Sequence, residues 1–124
     1  MKRNYIVKVT KNSRKFLLVE FDSSSCQSLS NFLNSEVHNF YTHIYKELEA
    51  VVTGQKEASE FGGNILNIDI GKEKTEVYYQ MDDESLGEPY FISTDELYKL
   101  VIEWKEMEDR MRRGEDIFPV TIDD

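Results

Sequence analysis

The sequence has few of the residues that disulfides, metal sites and membrane spans require. It contains one cysteine, Cys26, and two histidines in 124 residues. A single cysteine cannot form an internal disulfide, and structural zinc normally takes four nitrogen or sulfur ligands. No apolar run approaches the ~18 residues of a membrane span. The first residues also lack the apolar core of a signal peptide. We therefore expect a cytoplasmic protein without a metal, a cofactor or a membrane-spanning helix.

Basic residues are outnumbered, and the imbalance increases along the chain. The formal net charge is −9, divided as +5 over residues 1–20, −5 over residues 21–80 and −9 over residues 81–124. Binding to nucleic acid or anionic lipid depends on neutralising negative charge with lysine and arginine. The charge therefore disfavours both and favours a basic protein partner. An acidic surface that only maintains solubility is the alternative interpretation.

The length and the hydrophobic pattern predict one domain over residues 1–124 with an α+β fold. Short β-branched or aromatic runs separated by turn-forming residues are typical of strands joined in hairpins. Five such runs occur, at residues 5–10, 15–21, 65–70, 75–80 and 90–92. The predicted order is β-β-α-β-β-β-α, with a mostly antiparallel sheet of about five strands and both helices on one face, in two layers. Residues 115–124 are expected either to pack as an edge segment or to fray.

Two helices are predicted from apolar spacings of three and four residues. The first covers residues 26–53, as one helix or as a helix with a kink near Asn34, and ends at Gly54. The second begins at a capping box in which Ser93 and Glu96 satisfy each other's backbone N–H groups. Basic residues precede Gly114, which is typical of a helix C-terminus.

Residues that could carry catalysis do not form a recognisable motif. His38 and His43 lie five apart, so they do not share a helix face as an i, i+4 metal-binding pair does. Cys26 lies at a predicted helix N-terminus, without an evident His–Asp partner, and we interpret it as a small buried or capping residue. An enzyme that uses Glu60, Asp69 or His43 remains an alternative, and it requires these groups to meet in a pocket. We predict no catalytic residue.

Acidic and aromatic residues cluster between the fourth and fifth predicted strands. Aromatic side chains anchor protein interfaces, and surrounding carboxylates attract a basic partner. We therefore predict a partner-binding surface here, although a solvated turn beside structural tyrosines would give the same composition. The predicted binding residues are Tyr79, Asp82, Asp83, Glu84 and Glu88, with Glu103 and Glu106 of the last helix as second choices.

Three stretches of the chain resemble a family of small bacterial immunity proteins. The first is Leu-Glu-Ala-Val-Val-Thr-Gly at residues 48–54, and the second is Ser-Glu-Phe-Gly-Gly-Asn at residues 59–64. The third is Ser-Thr-Asp-Glu-Leu at residues 93–97, followed by Leu-Val-Ile-Glu-Trp at residues 100–104. The family accompanies contact-dependent growth-inhibition toxins and related polymorphic toxins. The likeness covers roughly residues 26–108 in motif order and character.

The resemblance implies a stoichiometric inhibitor without enzymatic activity. Such a protein binds the toxic C-terminal domain of its cognate effector, often a nuclease, and blocks its active site or substrate face. A nuclease presents a basic surface to phosphate, which an acidic protein can occupy. The alternative is a cytosolic adaptor or regulatory protein that binds another basic partner. We assume a monomer.

Overall fold

The computed structural model describes residues 1–82 and 85–124. These residues contain seven strands and three α-helices. The strands are β1 (Arg3–Val9), β2 (Lys15–Phe21), β3 (Ser59–Gly62), β4 (Leu66–Ile70), β5 (Lys74–Tyr79), β6 (Tyr90–Ser93) and β7 (Val120–Ile122). The helices are α1 (Gln27–Asn31), α2 (His38–Val52) and α3 (Thr94–Arg112). A 3-10 turn at Ser24–Cys26 precedes α1, and a π-helical segment, Phe32–Val37, joins α1 to α2.

The strands form two antiparallel sheets. The first has the order β2-β1-β7, and the second has the order β3-β4-β5-β6. The α+β class, the antiparallel pairing and the two long helical regions are confirmed. The strand count differs, because β3 and β7 add to the five predicted strands and the hairpin β1–β2 belongs to a sheet of its own.

The two additional strands lie at sheet edges and carry weak sequence signals. β3 has one buried residue, Phe61, between exposed Glu60 and Gly62. β7 has three residues and pairs with the first part of β1, with Val120 opposite Tyr5. The segment 115–124 thus packs as an edge element. Tertiary pairing rather than local propensity forms such strands.

The first helical region is irregular at the predicted kink position, near Asn34, and is kinked six residues later, at Phe40. The π-helical segment spans Asn34, and Phe40 departs from helical geometry with φ −131° and ψ 30°. The Asn34 side chain accepts a hydrogen bond from the Val19 N–H at 2.8 Å and donates to the Val19 carbonyl at 3.1 Å. The segment therefore satisfies backbone groups on the outer edge of β2, as a neighbouring strand would.

The last helix begins at Ser93 and ends before Gly114 as predicted, and one of the two hydrogen bonds of the predicted capping box is present. Ser93 is the N-cap of α3, and its hydroxyl accepts a hydrogen bond from the Glu96 N–H at 3.1 Å. Gly114 follows the helix at φ +79°, a conformation that favours glycine. Gly54 has φ +82° after α2 and fills the same role there. Within the described residues, no helix is long and apolar enough to cross a membrane.

The hydrophobic core lies between the helices and the inner faces of both sheets. Trp104 of α3 and Phe32 of the π-helical segment are fully buried in it, together with Tyr5 of β1. Alternate residues of the four-stranded sheet point into this core, and the residues between them lie on the opposite, open face. That open face is available for contact with another molecule.

A buried carboxylate explains part of the Glu-Phe-Gly-Gly-Asn motif. Glu36 is 1% exposed, and it accepts hydrogen bonds from the backbone N–H groups of Asn64 at 2.9 Å, Ile65 at 2.8 Å and Leu66 at 2.6 Å. A Cβ atom at Gly63 would lie 2.5 Å from each carboxylate oxygen of Glu36. Position 63 therefore requires glycine because the carboxylate occupies the space of a side chain.

Candidate protein-binding surface

The predicted binding residue Tyr79 is partly used by the fold. It is the last residue of β5, and its half-buried ring packs against the core. Its hydroxyl accepts a hydrogen bond from the Asn31 amide at 2.5 Å. This contact connects the end of β5 to α1, so only part of Tyr79 is available to a partner.

Two of the carboxylates predicted to bind a partner lie at the accessible edge of a surface cleft. Asp82 and Glu88 are exposed and line a cleft of about 330 Å³ together with Glu76 and Tyr78. Neither carboxylate has a hydrogen bond or ion pair within residues 1–82 and 85–124. The Ser28 hydroxyl donates to the Glu88 carbonyl at 2.5 Å, which fixes this end of the connection to the first helical region. The other two predicted residues, Asp83 and Glu84, lie outside the described residues.

Glu103 is partly buried, and its carboxylate is bound by residues of β1. Its carboxylate accepts bidentate hydrogen bonds from the Arg3 guanidinium, both at 2.6 Å, and a third from the Tyr5 hydroxyl at 2.6 Å. Arg3 is 4% exposed and also contacts the Asp124 carboxylate at 2.9 Å. The hydrogen bonds that Arg3 donates to Glu103 and Asp124 raise the pKa of Arg3. Burial, followed by the hydrogen bond to Glu103, raises the pKa of Tyr5. Glu103 therefore joins β1 to α3.

Glu106, like Glu103, is a second-choice binding residue from the sequence, and it is exposed on α3. Its carboxylate makes no hydrogen bond or ion pair with any described part of the chain. α3 packs against the inner side of the four-stranded sheet, next to β5 and β6. Glu106 consequently belongs to the helical side of the molecule, and the structure does not bring it to the cleft that Asp82 and Glu88 line.

The open face of the four-stranded sheet carries a row of carboxylates that cross-strand pairing assembles. Glu60 of β3 lies opposite Asp69 of β4, which lies opposite Glu76 of β5, and Glu76 lies opposite Phe91 of β6. We call these four residues the acidic row. They line a shallow depression of about 440 Å³ together with Lys74. None of the three carboxylates is within ion-pair distance of a basic group in the described structure.

Exposed apolar and aromatic groups lie within and beside the acidic row. Phe91 is 62% exposed and Met81 is 71% exposed. Tyr78 lies on the same face, and its hydroxyl donates a hydrogen bond to Asp69 at 3.2 Å. Burial, with a smaller contribution from the Asp69 carboxylate, raises the pKa of Tyr78. The phenol is protonated near neutral pH even at the usual tyrosine pKa of 10.0, so it donates to the carboxylate there.

The sequence pattern identifies only part of this surface. Glu60 and Asp69 attract attention as a possible catalytic pair, whereas Glu76 and Phe91 carry no local signal. The four residues share a row only through the register of β3 to β6. The alternation of buried and exposed residues in β4 and β5 places Asp69 and Glu76 outward, but register depends on tertiary pairing.

The candidate catalytic residues do not form a recognisable active site. Glu60 and Asp69 are neighbours on an open surface, whereas exposed His43 packs edge-on against Phe61 with ring centroids 5.0 Å apart. Phe61 points to the inner side of the sheet, so His43 and the carboxylates lie on opposite sides. His38 contacts Glu108 at 2.9 Å. No group of three potential metal ligands from His, Cys, Asp and Glu occurs in the described ranges.

Comparison with known proteins gives a distant sequence match. The chain is similar to a Bacillus cereus protein described as "Immunity protein". The two sequences are 27% identical over 88 residues, which cover 71% of this chain and 75% of that protein. No protein-family model matches the chain. No solved structure matches it significantly.

Proposed function

We propose that this chain is an immunity protein that binds and neutralises the toxic C-terminal domain of a cognate bacterial effector. The observation that carries the proposal is the similarity, over 88 residues, to the Bacillus cereus immunity protein. The toxin system is of the contact-dependent growth-inhibition or polymorphic type, to which the sequence motifs at residues 48–64 and 93–104 point. The protein acts in the cytoplasm, as a monomer in a one-to-one complex and without enzymatic activity of its own.

The charge of the chain favours a nuclease as the target. A nuclease domain must present basic groups to the phosphate backbone of its substrate. This chain has a net charge of −9, and its exposed carboxylates include Asp82 and Glu88 beside the cleft at the end of β5. An acidic protein that covers the basic substrate face inhibits the nuclease by occlusion and associates rapidly through electrostatic attraction.

Co-expression tests the proposal directly. The C-terminal domain of the effector encoded immediately upstream is induced with and without this protein, and surviving cells are counted. We expect the domain to kill cells alone and the co-expressed protein to restore survival. The purified pair should elute as one complex in size-exclusion chromatography at equimolar stoichiometry.

A toxic domain that kills equally well with and without this protein would contradict the proposal. So would a neighbouring domain that is harmless alone. Either result would favour the adaptor function, in which the acidic surface binds a basic protein other than a toxin.

A further inference from the structure

We propose that the open face of the four-stranded sheet, centred on the acidic row, is the docking surface for a lysine- and arginine-rich patch on the toxin domain. The inference rests on the proposed function and adds to it the contact surface and the chemistry of the partner. The acidic row crosses the whole sheet, from Glu60 on the β3 edge to Phe91 on the β6 edge. The interface is thus a sheet face, with the β5–β6 connection at its border.

The row has an electrostatic cost that no ion pair of the described structure offsets, although Tyr78 donates one hydrogen bond to Asp69. Like charges directly opposite on adjacent strands destabilise a sheet. Here Glu60, Asp69 and Glu76 are consecutive cross-strand neighbours. Lys74 lies two residues before Glu76 on the same face, yet it is not within ion-pair distance of the row carboxylates. A cationic partner supplies the missing countercharge.

The spacing of the row suits basic side chains. Adjacent strands lie about 4.8 Å apart, so three carboxylates on three strands extend over about 10 Å. Guanidinium groups bind carboxylates in a planar, two-bond arrangement. A patch with two or three arginine or lysine side chains can therefore contact Glu60, Asp69 and Glu76 together. The partner's cations gain this contact without displacing an internal ion pair of the described structure.

Phe91 gives the row an apolar end. Its side chain is 62% exposed and stands opposite Glu76. Aromatic residues surrounded by polar groups are frequent anchors of protein interfaces. A small cation would need only the carboxylates, whereas a protein surface also buries an exposed phenyl ring. The combination favours a protein partner.

The acidic row is continuous with the predicted cleft. Glu76 lines both the 440 Å³ depression on the sheet face and the 330 Å³ cleft that contains Asp82 and Glu88. The two depressions form one acidic surface. Asp82 and Glu88 lie at its rim, where charges mainly accelerate association.

The test compares two variants with equal charge changes. The row variant is Glu60→Gln, Asp69→Asn and Glu76→Gln together, and each substitution keeps the shape of the side chain. The control variant is Glu20→Gln, Asp116→Asn and Asp123→Asn together, because these three exposed residues lie outside the four-stranded sheet. A third variant, Phe91→Ser, removes the apolar end alone. Circular dichroism checks that each variant folds.

The readouts are the co-expression rescue and the association kinetics with the purified toxin domain at 50 and 300 mM NaCl. Relative to wild type, we expect the row variant to associate roughly 10- to 100-fold more slowly at low salt, to lose most of its salt dependence and to rescue poorly. The control variant should rescue fully and change the association rate by less than about threefold. Phe91→Ser should increase the dissociation rate.

Each possible result distinguishes this inference from the proposed function. Wild-type rescue with equal binding by the row and control variants would overturn the inference and leave the proposed function intact. Failure of the wild type to rescue would overturn both. Stabilisation of the wild type, and not of the row variant, by 1 mM MgCl2 or CaCl2 in a melting experiment would also overturn the inference, because the row would then be a cation site.

Discussion

Glu36 and Gly63 lie 27 residues apart in the sequence but in contact in the structure. We therefore expect substitutions at these two positions to have strongly non-additive effects on the free energy of unfolding. Glu36 accepts hydrogen bonds from three backbone N–H groups, two in the turn that precedes β4 and one at Leu66, its first residue. In Gly63→Ala, the new methyl group would stand 2.5 Å from the carboxylate oxygens, so the carboxylate must move and these bonds must weaken. A hydrogen bond to a charged group contributes about 1.5–3 kcal/mol, so we expect a loss of about 3 kcal/mol in the free energy of unfolding.

A double-mutant cycle with Glu36→Ala separates this contact from other effects. Glu36→Ala alone should cost about 3–5 kcal/mol, because three buried N–H groups lose their acceptor. In the Glu36→Ala background the space beside Gly63 is empty. In that background Gly63→Ala should leave the free energy of unfolding unchanged or raise it by up to about 1 kcal/mol, because alanine lowers the conformational entropy of the unfolded chain.

Urea denaturation monitored by circular dichroism measures the four free energies. The neighbouring Gly62→Ala is the control, because its Cβ would meet only Asn67 Oδ1, at 3.3 Å, and should cost less than about 1 kcal/mol. Equal costs of Gly63→Ala in the two backgrounds would refute the reasoning.

Two further predictions concern carboxylates outside the acidic row. Glu103→Gln should lower the free energy of unfolding by about 1.5–3 kcal/mol, because buried Arg3 loses its bidentate carboxylate partner and retains the Asp124 carboxylate. Glu106→Gln should change it by less than about 0.5 kcal/mol, and equal losses in urea denaturation would contradict the structural role of Glu103. Hydrogen bonds from Ser59 and Lys56 hold the pKa of Glu47 below its usual 4.5. This carboxylate therefore stabilises the fold above about pH 4.5, and the contribution is lost as the pH falls through its lower folded value. Glu47→Gln should accordingly lose less stability than wild type between pH 5 and pH 3, and parallel stability–pH curves would refute this assignment.

Local sequence signals predict the elements that are long or strongly capped. The α3 boundaries follow from Ser93 and Gly114, and β2 has the predicted bounds. The edge strand β3 is missed because it buries one residue, Phe61, between polar neighbours. Its hydrogen-bonding partner β4 lies beyond two glycines, and the pairing depends on the Glu36 contact from a distant helical segment. Such information is not local, so no window of the sequence contains it.

The predicted site likewise has a part that local sequence signals identify and a part that depends on distant contacts. Composition identifies an acidic, aromatic segment, and the structure places Asp82 and Glu88 of that segment at an exposed cleft. Composition cannot show that the Glu103 carboxylate is occupied by Arg3, because the two residues lie 100 positions apart. Nor can it show that Glu60 and Glu76 flank Asp69. That arrangement needs the register of three strands, which the alternation within each strand does not specify.

The acidic row also predicts that binding and stability oppose each other at Asp69. This residue lies between two carboxylates on adjacent strands, so its negative charge is repelled from both sides. Asp69→Asn removes the repulsion and still accepts the hydrogen bond from Tyr78. We expect it to increase the free energy of unfolding by about 0.5–1 kcal/mol, within the range of cross-strand pair energies. The gain should shrink at 1 M NaCl, where the Debye length falls to about 3 Å.

The same substitution should weaken toxin binding, since the partner's cations lose the central carboxylate of the row. Asp116→Asn is the matched control, because Asp116 is exposed and lies outside both sheets. Asp116→Asn should change neither the free energy of unfolding nor toxin binding by a comparable amount. Urea denaturation and association kinetics on the same preparations measure the two effects. If Asp69→Asn destabilises the protein, the row carboxylates contribute to folding, and their lack of ion-pair partners would no longer argue for a binding role.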